Sequence, residues 1–180
     1  MKEEVIIAGF GGQGVILIGK LLAYAGMLEG KNVTCLPSYG PEMRGGAANC
    51  MVIISTSRIS SPYVTEATSA IIMNRSSIER FENAIKPDGF ILLNSSMINR
   101  EVARTDVKVI KVAANRIAED LGNIRVANIV ALGAFVGARP IVTIDSLQLA
   151  LDKELSARHK DLIGINIMAL RRGFETILRE

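Results

Sequence analysis

The sequence predicts an α/β protein, a single domain over residues 1–180 built as a three-layer sandwich around a Rossmann-like, mostly parallel sheet, with a helical C-terminal third. Three observations carry this expectation. A short apolar run ending in glycine leads directly into a helical segment at the start of the chain. Short β-branched runs then alternate with helical stretches, and beyond about residue 125 only helical periodicity remains. With 180 residues, 49% of them hydrophobic, the chain has the material to fill one sizeable core.

Taken in order, residues 4–10 (EVIIAGF) read as a strand, GGQG as a turn and VILIGKLLAYAGMLEG as a helix that Gly30 stops. NVTCLP follows as a second strand, so the first 37 residues predict a βαβ unit with a parallel pair. A polar, glycine-rich loop, SYGPEMRGGAAN, comes next. NCMVIISTS and the turn-flanked RISSPYV have strand character, and TSAIIMN is a short buried strand running into the helix RSSIERFENAIK. Pro87, Asp88 and Gly89 form a turn before the strand GFILLNSS. TDVKVIKVAA is a further strand, followed by NRIAEDLG, a short helix closed by Gly122. VANIVALGAFVGA, TIDSLQLALDKEL and HKDLIGINIMALRRGFETILRE are helices, the second capped within Thr143 to Asp145. The last carries Leu162, Ile163, Ile165, Ile167, Met168, Leu170, Phe174 and Leu178 on a broad apolar face, expected to pack across the domain. No internal repeat and no Pro/Gly/Ser-rich linker marks a second domain.

Composition narrows the function. Net charge is +3 with no run of like charges, so nothing resembles a nucleic-acid footprint. MKEEVIIAGF lacks the basic start and small-residue cleavage site of a signal peptide. The longest apolar stretches, such as IVALGAFVGA, are half of the ~20 residues that a membrane span needs, so a cytoplasmic protein without membrane contact is expected. Cys35 and Cys50 match no metal or redox spacing and read as small buried hydrophobes, and two thiols fall short of the about four an iron-sulfur cluster requires. The one histidine, His159, lies in a polar stretch beside lysine and reads as solvated. There is no G-x-S-x-G elbow, no G-K-[ST] ending to the glycine loop and no cluster of metal ligands. The seven methionines, Met73, Met97 and Met168 among them, read as core filler.

Two segments hold the polar chemistry. Gly9, Gly11 and Gly14 satisfy the G-x-G-x-x-G spacing between a strand and a helix, where free backbone N–H groups favour an anion. A dinucleotide site also needs an acid at the end of the second strand to hold the ribose, but Cys35, Leu36, Pro37 and Ser38 stand there and Glu42 arrives only within the loop. The turn therefore reads as a close strand-to-helix connection, with a free-standing Rossmann-like nucleotide-binding protein as the alternative. Gln13 beside it can hydrogen-bond a neighbouring loop, a partner chain or a ligand. The following loop sets Tyr39, Glu42, Arg44 and Asn49 among Gly40, Pro41, Gly45 and Gly46, at the strand end where ligands and partners dock in open α/β sheets. Arg44 offers a planar fork for a carboxylate or phosphate, and Glu42 is placed either to order the loop through Arg44 or to act with it at an interface.

The composite of GFGGQGVILIGKLLAYAG at 9–26, SYGPEMRGGAANCMVIIS at 38–55, and then IIMN, NSS and ANIVALGA in order resembles the gamma subunit of 2-oxoacid:ferredoxin oxidoreductases over essentially the whole chain. The resemblance implies a multisubunit enzyme that oxidatively decarboxylates a 2-oxoacid, passes electrons to ferredoxin and forms an acyl-coenzyme A. It further implies that thiamine diphosphate, Mg and the iron-sulfur clusters belong to partner chains, that this chain holds no cofactor and no catalytic residue, and that coenzyme A is a co-substrate of the complex. The implied partners are the alpha, beta and, where one is present, delta subunits, with ferredoxin reached through the complex. Gly11, Gly12, Gln13, Gly14, Tyr39, Gly40, Pro41, Glu42, Arg44, Gly45 and Gly46 are expected to form subunit-interface or ligand-bordering loops. SYGPEMRGG followed by NCMVIIS looks more like the 2-oxoglutarate type, and the branched-chain 2-ketoisovalerate type, than the pyruvate type, with 2-oxoglutarate as the first expectation and the indolepyruvate enzymes as relatives. Apolar surface left bare by absent partners would let the isolated chain pair with itself.

Overall fold

The computed structural model describes residues 1–40, 46–156 and 160–178, with side chains 156 and 160 excepted. Strands β1 (Lys2–Phe10), β2 (Asn32–Tyr39), β3 (Ala47–Ser55), β4 (Ala67–Ile72), β5 (Ile85–Asn94) and β6 (Lys108–Val112) form one sheet in the order β2-β3-β1-β4-β5-β6. β1, β4, β5 and β6 run parallel, while β3 is antiparallel to both β1 and β2. The expected β1–β2 pair is thus corrected. The two strands share a direction, but helix α1 (Val15–Leu28) carries the chain past one position and β3 returns to fill it.

Alternation along the strands sends Val5 and Ile7 to one face and Ile6 and Ala8 to the other, which defines two cores. The first core lies under α1, α3 (Ala114–Asp120), α4 (Ala127–Ala138), α5 (Ile144–Ser156) and α6 (Ile163–Leu178). The second is covered by α2 (Arg75–Phe81), through Ile78 and Phe81, and by irregular chain carrying Val64 and Ile98. α4 is the central helix: every residue from Ala127 to Val136 is buried, as expected for a helix that is apolar all round. Its Phe135 meets Phe90 of β5 with ring centroids 6.0 Å apart, and α6 covers its outer side. Among the described residues no helix is long and apolar enough to cross a membrane.

Four local expectations change. RISSPYV forms no strand, because Pro62 has no N–H for a ladder; Val64 is buried in the second core, and Ile59 packs against it. Pro87–Gly89 is a bulge inside β5 rather than a turn before it, with Asp88 at φ 60° and a register shift opposite Ala67 and Ser69. α6 buries only part of the face the pattern selects: Leu170 is inside, with Asn166, Ala169 and Gly173, and Ile163 and Ile165 pack against the core, while Met168 and Leu178 are exposed. The reason is close approach. A Cβ on Gly133 would lie 2.0 Å from the Leu170 carbonyl oxygen, and one on Gly173 would lie 2.0 Å from that of Val130, so small residues set the contact between α4 and α6. Met73 is core as expected, but Met97, like Met168, is exposed. The Thr143 cap is present, its Oγ1 accepting from the Ser146 N–H at 3.2 Å.

Candidate functional site

The β1–α1 turn is held by Gln13. Its Oε1 accepts from the Phe10 N–H at 3.0 Å and its Nε2 donates to the Met73 carbonyl at 3.1 Å, which ties the turn to the chain leaving β4. Gly9 makes the room: a Cβ there would sit 2.5 Å from Gln13 Oε1. Gly14 caps α1 in the left-handed region at φ 71°, its carbonyl accepting from Ile18 N–H at 3.1 Å and Asn128 Nδ2 at 3.4 Å. Gly12, at φ 104°, is exposed with open space around it.

The Gly11 N–H donates to the Gly46 carbonyl at 2.9 Å, and the Gly40 N–H donates to the Ala47 carbonyl at 2.7 Å. The first glycine turn and both described ends of the second glycine loop therefore meet at the C-terminal edge of the parallel strands. Tyr39 is exposed there, 61% of its surface open. Pro41, Glu42, Arg44 and Gly45 lie outside the described residues, as does His159.

A cleft of about 200 Å³ opens beside this turn, lined by Phe10, Gln13, Met97, Asn115, Arg125 and Asn128 among others. Arg125 supplies its charge and Met97 its exposed apolar surface. Beneath it Asn94, fully buried at the end of β5, donates through Nδ2 to Asn115 Oδ1 at 2.8 Å. Met97 follows β5, Asn115 opens α3, Arg125 sits in the short turn before α4 and Asn128 opens α4, and the motifs NSS and ANIVALGA, which flank Met97 and contain Asn128, were the signal that could have found them.

Among the described residues, no acid holds the position that would bind a ribose. The strand beside β1 on that side is β3, which begins at the cleft edge with Ala47 instead of ending there with a carboxylate. The model of the family described as pyruvate ferredoxin/flavodoxin oxidoreductase matches residues 4–176.

The chain belongs to that oxidoreductase family.

Relatives within the family carry closely related names. The chain is 33% identical over 97% of its length to a 2-oxoglutarate synthase subunit KorC of Methanocaldococcus jannaschii, covering 94% of that protein. It is 35% identical over 97% of its length to the ketoisovalerate oxidoreductase subunit VorA of Methanothermobacter thermautotrophicus, of which it spans only 36%. A crystal structure of the keto/oxoacid ferredoxin oxidoreductase gamma subunit from Geobacter sulfurreducens superposes with a TM-score of 0.84 at 29% identity, covering 99% of both chains. The six-stranded sheet and its helices are therefore the oxidoreductase family's gamma-subunit fold. These relatives are named as subunits of 2-oxoacid oxidoreductases, and the Geobacter structure as a gamma subunit, which supports the main reading of the sequence over the nucleotide-binding alternative.

Proposed function

We propose that this chain is the gamma subunit of a multisubunit 2-oxoacid:ferredoxin oxidoreductase, most closely of the 2-oxoglutarate type, and that it performs no bond-making step itself. The observation that supports this reading is the Gly11–Gly46 hydrogen bond, which joins two glycine-rich segments into one edge beside an open cleft. Gly11, Gly12, Gln13, Gly14, Tyr39, Gly40 and Gly46, with Pro41, Glu42, Arg44 and Gly45 of the same loop, dock on the chains that carry thiamine diphosphate, Mg and the iron-sulfur clusters. The thiamine supplies the carbanion chemistry in those chains, and this edge borders the path of coenzyme A. Alpha and beta subunits, and a delta subunit where the complex has one, are the partners, ferredoxin takes the electrons from the complex, and the assembly works in the cytoplasm. Gln13 serves this role indirectly, because both ends of its amide are committed to holding the turn.

The test is to tag the chain in its host, recover it under anaerobic conditions, identify co-purifying chains by mass spectrometry and assay 2-oxoacid-dependent dye reduction. Thiamine- and cluster-bearing partners with highest activity on 2-oxoglutarate are the expected result. A chain recovered alone, without 2-oxoacid activity, overturns the reading.

A further inference from the structure

We propose that Cys35 and Cys50 form a reversible dithiol–disulfide site at the root of the loop that follows β2. The sequence separates these residues and gives no redox spacing, yet the sheet joins them. Cys35 pairs with Val52 and Cys50 with Pro37, which makes the two cysteines diagonal neighbours on one face of the β2–β3 ladder. Their sulfurs are 3.4 Å apart and both thiols are free.

The two thiols are unequal in the way a reactive pair requires. Cys50 is fully buried under α1, in space that Gly19 leaves open: a Cβ on Gly19 would fall 2.4 Å from its sulfur. Cys35 is partly exposed on β2, an edge strand. A hydrogen bond from the Cys50 thiol, partly opposed by burial and helped by the Lys20 ammonium, lowers Cys35 to about 7, while the same bond and burial push Cys50 up. Cys35 is the thiolate that meets a reagent, and Cys50 is a reserve thiol that only Cys35 can reach.

The co-reactant is a hydroperoxide. The Cys35 thiolate attacks the terminal peroxide oxygen, an S–O bond forms, the O–O bond breaks, and the leaving oxygen departs as water or alcohol after taking a proton. The Cys50 sulfur then attacks the Cys35 sulfenic sulfur, the S–S bond forms, and the hydroxyl leaves as water with the Cys50 proton. Two thiols are oxidised by two electrons and one peroxide is reduced; an external dithiol reverses the change.

Diagonal Cα atoms stand about 7–8 Å apart, whereas a disulfide usually spans about 4.4–6.8 Å. Closing the bond therefore draws β2 toward β3. β2 is an edge strand whose single sheet neighbour is β3, and it ends at Tyr39, beside the Gly40–Ala47 hydrogen bond. The oxidation state of the pair is thereby passed to the edge that borders the cleft. The site is independent of the function proposed above.

Reduced full-length chain treated with hydrogen peroxide should lose both maleimide-reactive thiols, counted after denaturation, without becoming a covalent dimer, and dithiothreitol should restore both. Amide exchange over residues 32–39 should change only in the oxidised protein. Cys50→Ala should stop at a dimedone-trappable sulfenic acid on Cys35, and Cys35→Ser should leave Cys50 unmodified at the same dose. Retention of both thiols, sulfinic acid at Cys35 in the unsubstituted chain, or an intermolecular disulfide overturns the proposal. The unsubstituted chain provides each of these readouts by itself, so a variant that fails to fold leaves the outcome decided.

Discussion

The crossing of α4 and α6 and the turn between β1 and α1 both depend on glycine, for opposite reasons. At the crossing, Gly133 and Gly173 occupy ordinary helical positions, and what they provide is absence of volume: a Cβ at either would lie 2.0 Å from a facing backbone oxygen. At the turn, Gly12 has open space around it, and what it provides is a backbone angle, φ 104°. The first kind of glycine brings two helices together over a core. The second kind aims a loop at solvent. Substitution should therefore be severe at Gly133 and Gly173 and mild at Gly12, even though Gly9 in the same turn makes room for Gln13.

The largest effect is expected from Gly133→Ala. The new methyl group cannot be absorbed by a flexible side chain because it meets backbone, so α4 and α6 must separate, at a cost of about 3 kcal/mol or more. Calorimetry should show Tm falling by roughly 6–12 °C. Gly164→Ala in the same α6, where nothing lies within 4 Å, should leave Tm unchanged or raise it through helix propensity. A similar loss for both would mean that helix propensity, and not the crossing, sets the outcome.

Gln13→Leu comes next. It leaves the Phe10 N–H and the Met73 carbonyl without their side-chain partner, at about 2 kcal/mol, measurable by urea denaturation. It should also loosen the β1–α1 turn in amide exchange while the α4–α6 crossing keeps its protection.

The far end of α1 sharpens the contrast, because charge holds it. Burial disfavours the charged Glu29, but hydrogen bonds from Lys31, from the Thr143 N–H, and from the Ser146 and Thr143 hydroxyls outweigh this and hold its carboxyl at about 2, against an ordinary 4.5. A lowered folded-state value means stability that is full above about pH 4.5 and is lost as pH falls toward 2. Glu29→Gln should cost about 1–2 kcal/mol at pH 7, and the gap between variant and unsubstituted chain should close between about pH 5 and 2.

Gly12→Ala should be the smallest loss, about 1 kcal/mol from the unfavourable angle alone, with no change at the crossing. If it matched Gly133→Ala in effect, the turn would be as constrained as the core and the comparison would fail.

What the sequence showed, and what it hid, follows the same division. β1, α1 and the Gly11–Gly14 turn were legible because hydrophobic period and glycine spacing are local. The insertion of β3 between β1 and β2 was not, since strand adjacency is a long-range choice that no window of residues records. The buried face of α6 is only partly legible, because a search for large apolar residues finds the buried Leu170 but also selects the exposed Met168 and Leu178, whereas the closest contact is made by Ala169 and Gly173. The cleft was half legible. Its turn announces itself by motif, but Asn115 and Arg125 reach it only because the first turn of α3 and the short turn before α4 lie beside the β1–α1 turn. The pairing of Cys35 with Cys50 was hidden in the same way, by a hairpin whose loop length disguises a diagonal contact.

The burial of α4 on every side also bears on the order in which the protein is made. On the ribosome this apolar helix is translated before α6, with all of α5 between them, so its outer surface waits for a cover that arrives about two dozen residues later. Until then the nascent chain carries a bare hydrophobic helix that cannot seat between two layers, the kind of surface that chaperones hold and that drives aggregation when they do not.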